Sequence, residues 1–304
     1  MRICSFLPSA TEIAFALGLG DEIVGVTHEC DYPPEARSKP IVVETALDAA
    51  RTSRQIDHTV RQHWRAKTSL YTIDLCRLRE AKPDIILTQA LCDVCALNFD
   101  DVVQAAQALE PPPKIVSLNP RLLADVLADI RQVGAVTGKI PEAEALVLSL
   151  QGRMDRVRTA ALVSSQRPRV MCLEWLDPLF SAGHWVPEMV DLAGGTNGLA
   201  KKGDVSAQIQ WDQVVQLNPE ILILMPCGFD VQRTQEEAAV LCHLPGWSEL
   251  PAVRNKHVFA VNGAAYFNRS GPRLIEGLEI LSSIIHPEIF PRELAPEAAR
   301  RIGA

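Results

Sequence analysis

Residues 141–164, PEAEALVLSLQGRMDRVRTAALVS, limit more than any other stretch what this chain of 304 residues can fold into. Pro141 suits a first helical turn, where its missing N–H would have no partner anyway. Glu142 and Glu144 put negative charge at the positive end of the helix dipole, and Arg153, Arg156 and Arg158 gather toward the other end. Leu146, Leu150, Met154, Val157 and Ala161 recur at spacings of three and four, so one face is apolar. At 1.5 Å per residue such a helix would be about 36 Å long, roughly the span of a small domain. It lies near mid-chain between two halves that echo each other, and is expected to be a rigid strut joining two lobes.

The echo is one of elements in order. In the first half, strand 2–6 leads into a helix over 9–17, opened by Ser9 with Glu12 at capping-box spacing. Strand 22–28, helix 74–81, strand 84–89, helix 100–109 and strand 114–118 follow. In the second half come strand 168–175, helix 187–195, helix 211–217, strand 220–225, helix 235–242, strand 257–262 and helix 272–285. REAKPDIILTQALC (79–92) and VQLNPEILILMPC (215–227) share a helix, a proline, an acid, an apolar run and a cysteine just past the strand. Short apolar strands alternating with helices predict an α/β fold with mainly parallel, covered sheets. The expected domains are an N-terminal lobe over 1–120, linking helices including the long one over 121–166, and a C-terminal lobe over 167–304.

With 47% hydrophobic and 22% charged residues, the chain has the balance of a globular protein, and no segment has the unbroken apolar run of a membrane span. A net charge of −7 argues against nucleic acid or an anionic membrane as the main partner. At the N-terminus, Pro8, Ser9, Thr11 and Glu12 interrupt what would be the apolar core of a signal peptide, and no small-residue cleavage site follows. The expected location is therefore cytoplasmic, or periplasmic if the true start differs. The eight cysteines are then expected as free thiols, metal ligands or redox groups instead of disulfides.

Ligands of open parallel sheets sit beyond the carboxyl ends of the strands. Just after the strands stand Pro8-Ser9, His28-Glu29-Cys30, Cys92-Asp-Val-Cys95, Asn119-Pro120, Glu174-Trp175, Cys227-Gly-Phe229 and Asn262-Gly263. Cys30, Cys92, Cys95 and Cys227 admit three readings: a zinc or iron–sulfur site, a redox dithiol at Cys92 and Cys95, or plain cleft-lining thiols. Cys4, Cys76, Cys172 and Cys242 fall inside elements, where a thiol acts as a small apolar residue. Trp175, His184-Trp185, Phe229 and Tyr266-Phe267 concentrate aromatic rings in second-half loops of a chain only 5% aromatic. That pattern suits a broad, flat, partly apolar ligand, with ordinary packing the alternative for any one ring. His28 and His184 are either axial ligands to a metal in that ligand or satisfied polar residues. No phosphate-binding loop, HExxH or GxSxG motif occurs, and no nucleophile–base pair marks an enzyme.

FLPSATEIAFALGLGDEIVGVTHECDYP, KPDIILTQALCDVC, PLFSAGHWVPEMVDLAGG and YFNRSGPRLIEGLEIL together resemble the cobalamin-binding, helical-backbone branch of the ABC-transporter substrate-binding proteins. The resemblance runs from about residue 2 to 287. It implies two Rossmann-like lobes joined by one long helix, little hinge motion, and a corrinoid or related metal chelate between the lobes. The HEC, LCDVC and PCGF segments are similar to a cytosolic-looking subgroup, and Ser270 stands where proline is frequent. The function expected is non-enzymatic binding of cobalamin or a related chelate by Pro8, Ser9, His28, Glu174, Trp175, His184, Trp185, Phe229, Tyr266 and Phe267. An ABC permease is the implied partner if the protein is exported. The alternative is a zinc or iron–sulfur protein ligated by Cys30, Cys92, Cys95 and Cys227.

Overall fold

The computed structural model describes residues 1–48, 50–66, 68–90 and 97–303. The chain divides into two compact units. The first comprises 1–51, 55–120 and 124–148; the second comprises 52–54, 121–123 and 149–304.

In the first unit, β1 (Ile3–Ser5), α1 (Pro8–Ala16), β2 (Ile23–Thr27), β3 (Ile41–Thr45), α2 (Ser53–Ala66), β4 (Tyr71–Ile73), α3 (Leu75–Ala81), β5 (Ile85–Thr88), α4 (Phe99–Gln107), β6 (Lys114–Ser117) and α5 (Leu123–Thr137) follow one another. The sheet order is β4-β3-β2-β1-β5-β6, and only β3–β4 is antiparallel. Strands buried on both faces need continuous apolar side chains, and IIL of β5 pairs in register with Ile3 and Cys4 on one side and Ile115 and Val116 on the other. Cys4, Phe6, Val42, Leu78, Ile86 and Val102 are among the residues of this unit's core.

Pro8 occupies the first turn of α1 and Leu7 is its N-cap, without a side-chain capping bond. The expected Ser9 capping box is therefore not formed, and both Ser9 and Glu12 are buried. Proline's fixed φ starts the helix one residue earlier than the serine signal suggests. Strand β3, helix α2 and strand β4 lie where the sequence reads as a polar connection. Ser53 is the only buried residue of α2, whose few apolar residues, Ile56, Val60 and Trp64, stand in a mostly polar segment.

Helix α6 (Ile140–Ala161) has 22 residues and is about 33 Å long. The boundary between the units falls inside it, after Leu148. Its buried positions are Ala143, Val147, Leu150, Val157 and Ala161, a stripe at helical spacing close to the expected one. Beyond Ala161, Leu162 and Val163 are exposed. Arg153 makes a two-pronged bond to Glu279, Nε to Oε1 at 2.8 Å and Nη2 to Oε2 at 2.7 Å, which ties the later turns of α6 to the last long helix of the second unit.

In the second unit come β7 (Arg169–Leu176), β8 (Leu179–Ser181), α7 (Val186–Leu192), β9 (Thr196–Asn197), β10 (Ala207–Gln208), α8 (Trp211–Leu217), β11 (Ile221–Leu224), α9 (Val231–Glu237), α10 (Pro251–Arg254), β12 (Val258–Val261), α11 (Gly263–Tyr266), α12 (Leu274–Ile285) and β13 (Ala299–Arg301). The sheet order is β10-β8-β7-β11-β12-β13, with β9 added beside β7. Strands β7, β11 and β12 are parallel, whereas β8, β10 and β13 make antiparallel edges. The class is α/β with a separate, centrally parallel sheet in each unit, as expected. Helix 235–242 is instead α9 starting at Val231, capped by Asp230 accepting from the Arg233 N–H, and followed by a 3-10 turn over Ala238–His243.

Helix α12 is apolar nearly all round and lies against α11 and α7. Gly277 lets it come that close: a Cβ there would meet the Tyr266 carbonyl oxygen and Met189.

Candidate functional site

In the first unit, Pro8 and His28 come together with Thr27, Glu29 and Tyr71 around a recess of about 20 Å³ at the carboxyl ends of β1 and β2, room for about one water. The His28 Nδ1 lies 3.4 Å from the Val43 carbonyl, its Nε2 lies 3.8 Å from Glu29 Oε1, and its ring faces Tyr71 with centroids 6.2 Å apart. Ser9 is buried.

Cys30 is 4% exposed, and its sulfur lies 3.1 Å from Thr11 Oγ1 and 3.3 Å from Thr27 Oγ1. It is thus enclosed by hydroxyls of its own unit. Cys92 and Cys95 lie outside the described residues. Cys227 is half-buried in the second unit, its N–H donating to the Glu174 carbonyl at 3.1 Å. Among the described residues, no group of three or more His, Cys, Asp or Glu side chains is arranged to hold a metal ion.

The second unit holds the aromatic set. Trp175, near the end of β7, meets Phe229, from the loop after the neighbouring β11, with ring centroids 5.3 Å apart and planes at 57°. The Arg233 guanidinium stands 3.9 Å from the Phe229 ring centroid, within cation–π range. His184 and Trp185 have centroids 5.5 Å apart. Trp185 and Phe267 are buried, and the Trp185 indole N–H donates to the Phe267 carbonyl at 2.8 Å. These two therefore brace the loop from inside. Tyr266 is half-buried with Arg273 5.9 Å from its ring, and burial first, then Glu276, raises its phenol above its ordinary range.

His184 has a left-handed backbone, φ 53°, a conformation uncommon for residues other than glycine. Its N–H donates to the Asp204 carbonyl at 2.6 Å and its carbonyl accepts from the Gly203 N–H at 2.8 Å. Burial, and secondarily the positive charge of Arg121, lower its pKa, so the imidazole is neutral at neutral pH. Glu174 accepts a 2.8 Å hydrogen bond from the Ser206 hydroxyl, and the segment bearing Ser206 escaped the sequence reading, being short and polar.

Four side-chain polar atoms among the described residues are buried without a hydrogen-bond partner: Asp129 Oδ2, Trp175 Nε1, His184 Nε2 and Asn268 Oδ1. The last three belong to the second unit: Trp175 near the end of β7, His184 between β8 and α7, and Asn268 just after α11. Asn268 reaches the ends of β11 and β12, its amide donating to the Met225 carbonyl at 3.4 Å and its backbone N–H to the Gly263 carbonyl at 3.0 Å. A donor, an imidazole nitrogen and an acceptor, each unanswered, are costly unless water or a bound molecule supplies the missing bonds.

A strand-end loop set of aromatic rings and unanswered polar atoms on an α/β unit defines a binding protein, and the comparisons agree. The family model described as "Periplasmic binding protein" matches residues 3–265; the chain belongs to that family. An uncharacterized ABC transporter substrate-binding lipoprotein of Bacillus subtilis, YvrC, is 26% identical over 297 residues, 95% of this chain and 81% of the relative. A vitamin B12-binding protein of Vibrio cholerae is 27% identical over 299 residues, 91% of this chain and 86% of the relative. The periplasmic heme-binding protein RhuT of Roseiflexus superposes with a TM-score of 0.71 at 22% identity, covering 95% of this chain and 98% of that one.

The resemblance to substrate-binding proteins is thereby borne out, and these relatives are named for binding, with no catalytic activity in their names. The cytoplasmic location expected from the N-terminus is corrected: the family and RhuT are described as periplasmic, and YvrC as a lipoprotein. The break in the N-terminal apolar run reflects β1 and the Pro8 start of α1, so it reports on folding and says nothing of export. The iron–sulfur and zinc reading finds no support in any of the three relatives.

Proposed function

We propose that the chain binds a metal tetrapyrrole, cobalamin first, and hands it to an ABC permease as an extracytoplasmic substrate-binding protein. The observation that carries this reading is that three polar atoms of the second unit, Trp175 Nε1, His184 Nε2 and Asn268 Oδ1, are buried without a partner, with Trp175 itself packed on Phe229. A macrocycle offers a wide apolar face to stack on rings and polar groups at its edge to complete hydrogen bonds. The residues present fit such a ligand: Trp175 would take its face with the buried Phe229 backing the indole, and His184 and Asn268 its polar groups. The bound metal would supply a coordination position that a neutral imidazole can fill. In the first unit, Pro8 and His28 line a recess of their own. Glu174, Trp185 and Phe267 act from behind the surface, and Tyr266 stands at its edge.

Cobalamin leads because the vitamin B12-binding relative matches nine-tenths of this chain. Haem is the second reading, favoured by the likeness to the heme-binding fold. Thermal denaturation of the purified protein with cyanocobalamin, haemin or neither separates them: the true ligand raises the melting temperature by several degrees at a hundredfold excess over its Kd. No rise with either compound overturns the proposal.

A further inference from the structure

The polar contacts around His184 form a closed clasp that needs neither the imidazole nor the rings. One residue before Trp175, the Glu174 carboxylate accepts the Ser206 Oγ–H at 2.8 Å. The same hydroxyl oxygen accepts the N–H of Gly183, the residue before His184, at 3.2 Å. His184 then exchanges backbone bonds with Asp204 and Gly203. A Cβ on Gly183 would stand 2.5 Å from Ser206 N and 2.6 Å from Asp204 O, so the two chain segments touch through backbone and only glycine permits it. The left-handed His184 backbone persists because every neighbour holds it there.

We propose that Ser206 is a positioning residue for ligand binding: fixed by Glu174 and holding Gly183, its hydroxyl keeps His184 in the one conformation that presents the imidazole to the ligand. The inference rests on the ligand-binding reading above. It also gives Glu174 a different role from direct ligand contact. A carboxylate already engaged by Ser206 orients the loop, and its influence on the ligand passes through His184. The relation joins residues far apart in sequence, which is why spacing does not reveal it.

The test is absorbance titration of the intact protein with cyanocobalamin and, separately, haemin, in the wild type, Ser206→Ala, Ser206→Thr, Glu174→Gln, His184→Ala and the Ser206→Ala/His184→Ala double variant. Ser206→Ala is expected to weaken binding by about tenfold, the worth of one hydrogen bond to a charged group. Ser206→Thr, which keeps the hydroxyl, and Glu174→Gln, which keeps an acceptor oxygen, should remain within about threefold of wild type. In the His184→Ala background, Ser206→Ala should cost nothing further, because its effect runs through the ring. Wild-type binding with an unchanged Ser206→Ala affinity overturns the positioning role alone, as does an equal loss in the His184→Ala background. Loss of cooperative melting in Ser206→Ala overturns it too, since the role is then merely structural. Failure of the wild type to bind either compound removes the ligand-binding reading itself.

Discussion

Trp175 and Phe229 leave the ends of two neighbouring parallel strands and meet with their rings tilted 57° at 5.3 Å. Tilted pairs of this kind put the positive edge of one ring against the negative face of the other. With Arg233 on its ring, the buried Phe229 backs the half-buried Trp175 indole, so the one partly exposed ring of the pair is held in place without a ligand. Trp175→Ala removes the stacking surface and one unanswered donor, and should weaken tetrapyrrole binding by about tenfold or more. Trp175→Phe, keeping the surface but not the N–H, should lose less. Equal affinities for wild type and Trp175→Ala in a fluorescence-quenching titration would remove Trp175 from the site.

Asp129 on α5 is 7% exposed, with one carboxylate oxygen unanswered. Burial first, and the negative charge of Asp125 second, push its pKa from 3.8 up to about 7. Between those values the folded chain holds a proton that the unfolded chain has released, so stability is fully present below about 4 and is lost as pH rises through about 7. Asp129→Asn cannot ionise. It should match wild type near pH 4 and exceed it at pH 8 by a few kcal/mol at most, read from urea midpoints at both pH values. An equal gap at both pH values would assign the difference to packing.

Burial likewise pushes the Cys4 and Cys172 thiols up to about 12, whereas Cys76 and Cys242 are exposed. Since the thiolate is the reactive form, iodoacetamide at pH 8 should label Cys76 and Cys242 in the native protein and reach Cys4 and Cys172 only after denaturation. Mass spectrometry of the labelled peptides reads the order. Early labelling of Cys172 would mean that the second sheet opens locally.

Much of the fold was legible because its signals are local. Pro-acid-apolar runs before β5 and β11, and the three-and-four spacing along α6, report their own conformation directly. Helix α2 was hidden for the opposite reason: its apolar residues, Ile56, Val60 and Trp64, are few in a mostly polar segment, and only Ser53 is buried. At the site, Trp175, His184 and Phe229 stood out as rare residues placed just after strands. Ser206, Asn268 and Gly183 did not, because their importance lies in contacts to residues distant in sequence: Glu174, Met225 and Asp204. Trp185, Phe267 and Phe229 carried the same aromatic signal as Trp175 but are interior, and their burial together with the 2.8 Å bond from Trp185 to Phe267 tells the roles apart. Cys30 carried a metal-ligand signal by position, yet its sulfur is enclosed by two threonine hydroxyls.

The most direct measurement is an absorbance titration of the purified wild-type chain with cyanocobalamin, followed by haemin. One of the two spectra should shift with a saturable isotherm at one ligand per chain, and the shift should weaken in Trp175→Ala. Spectra that stay those of the free compounds at every protein concentration would contradict tetrapyrrole binding at the Trp175 and His184 loops.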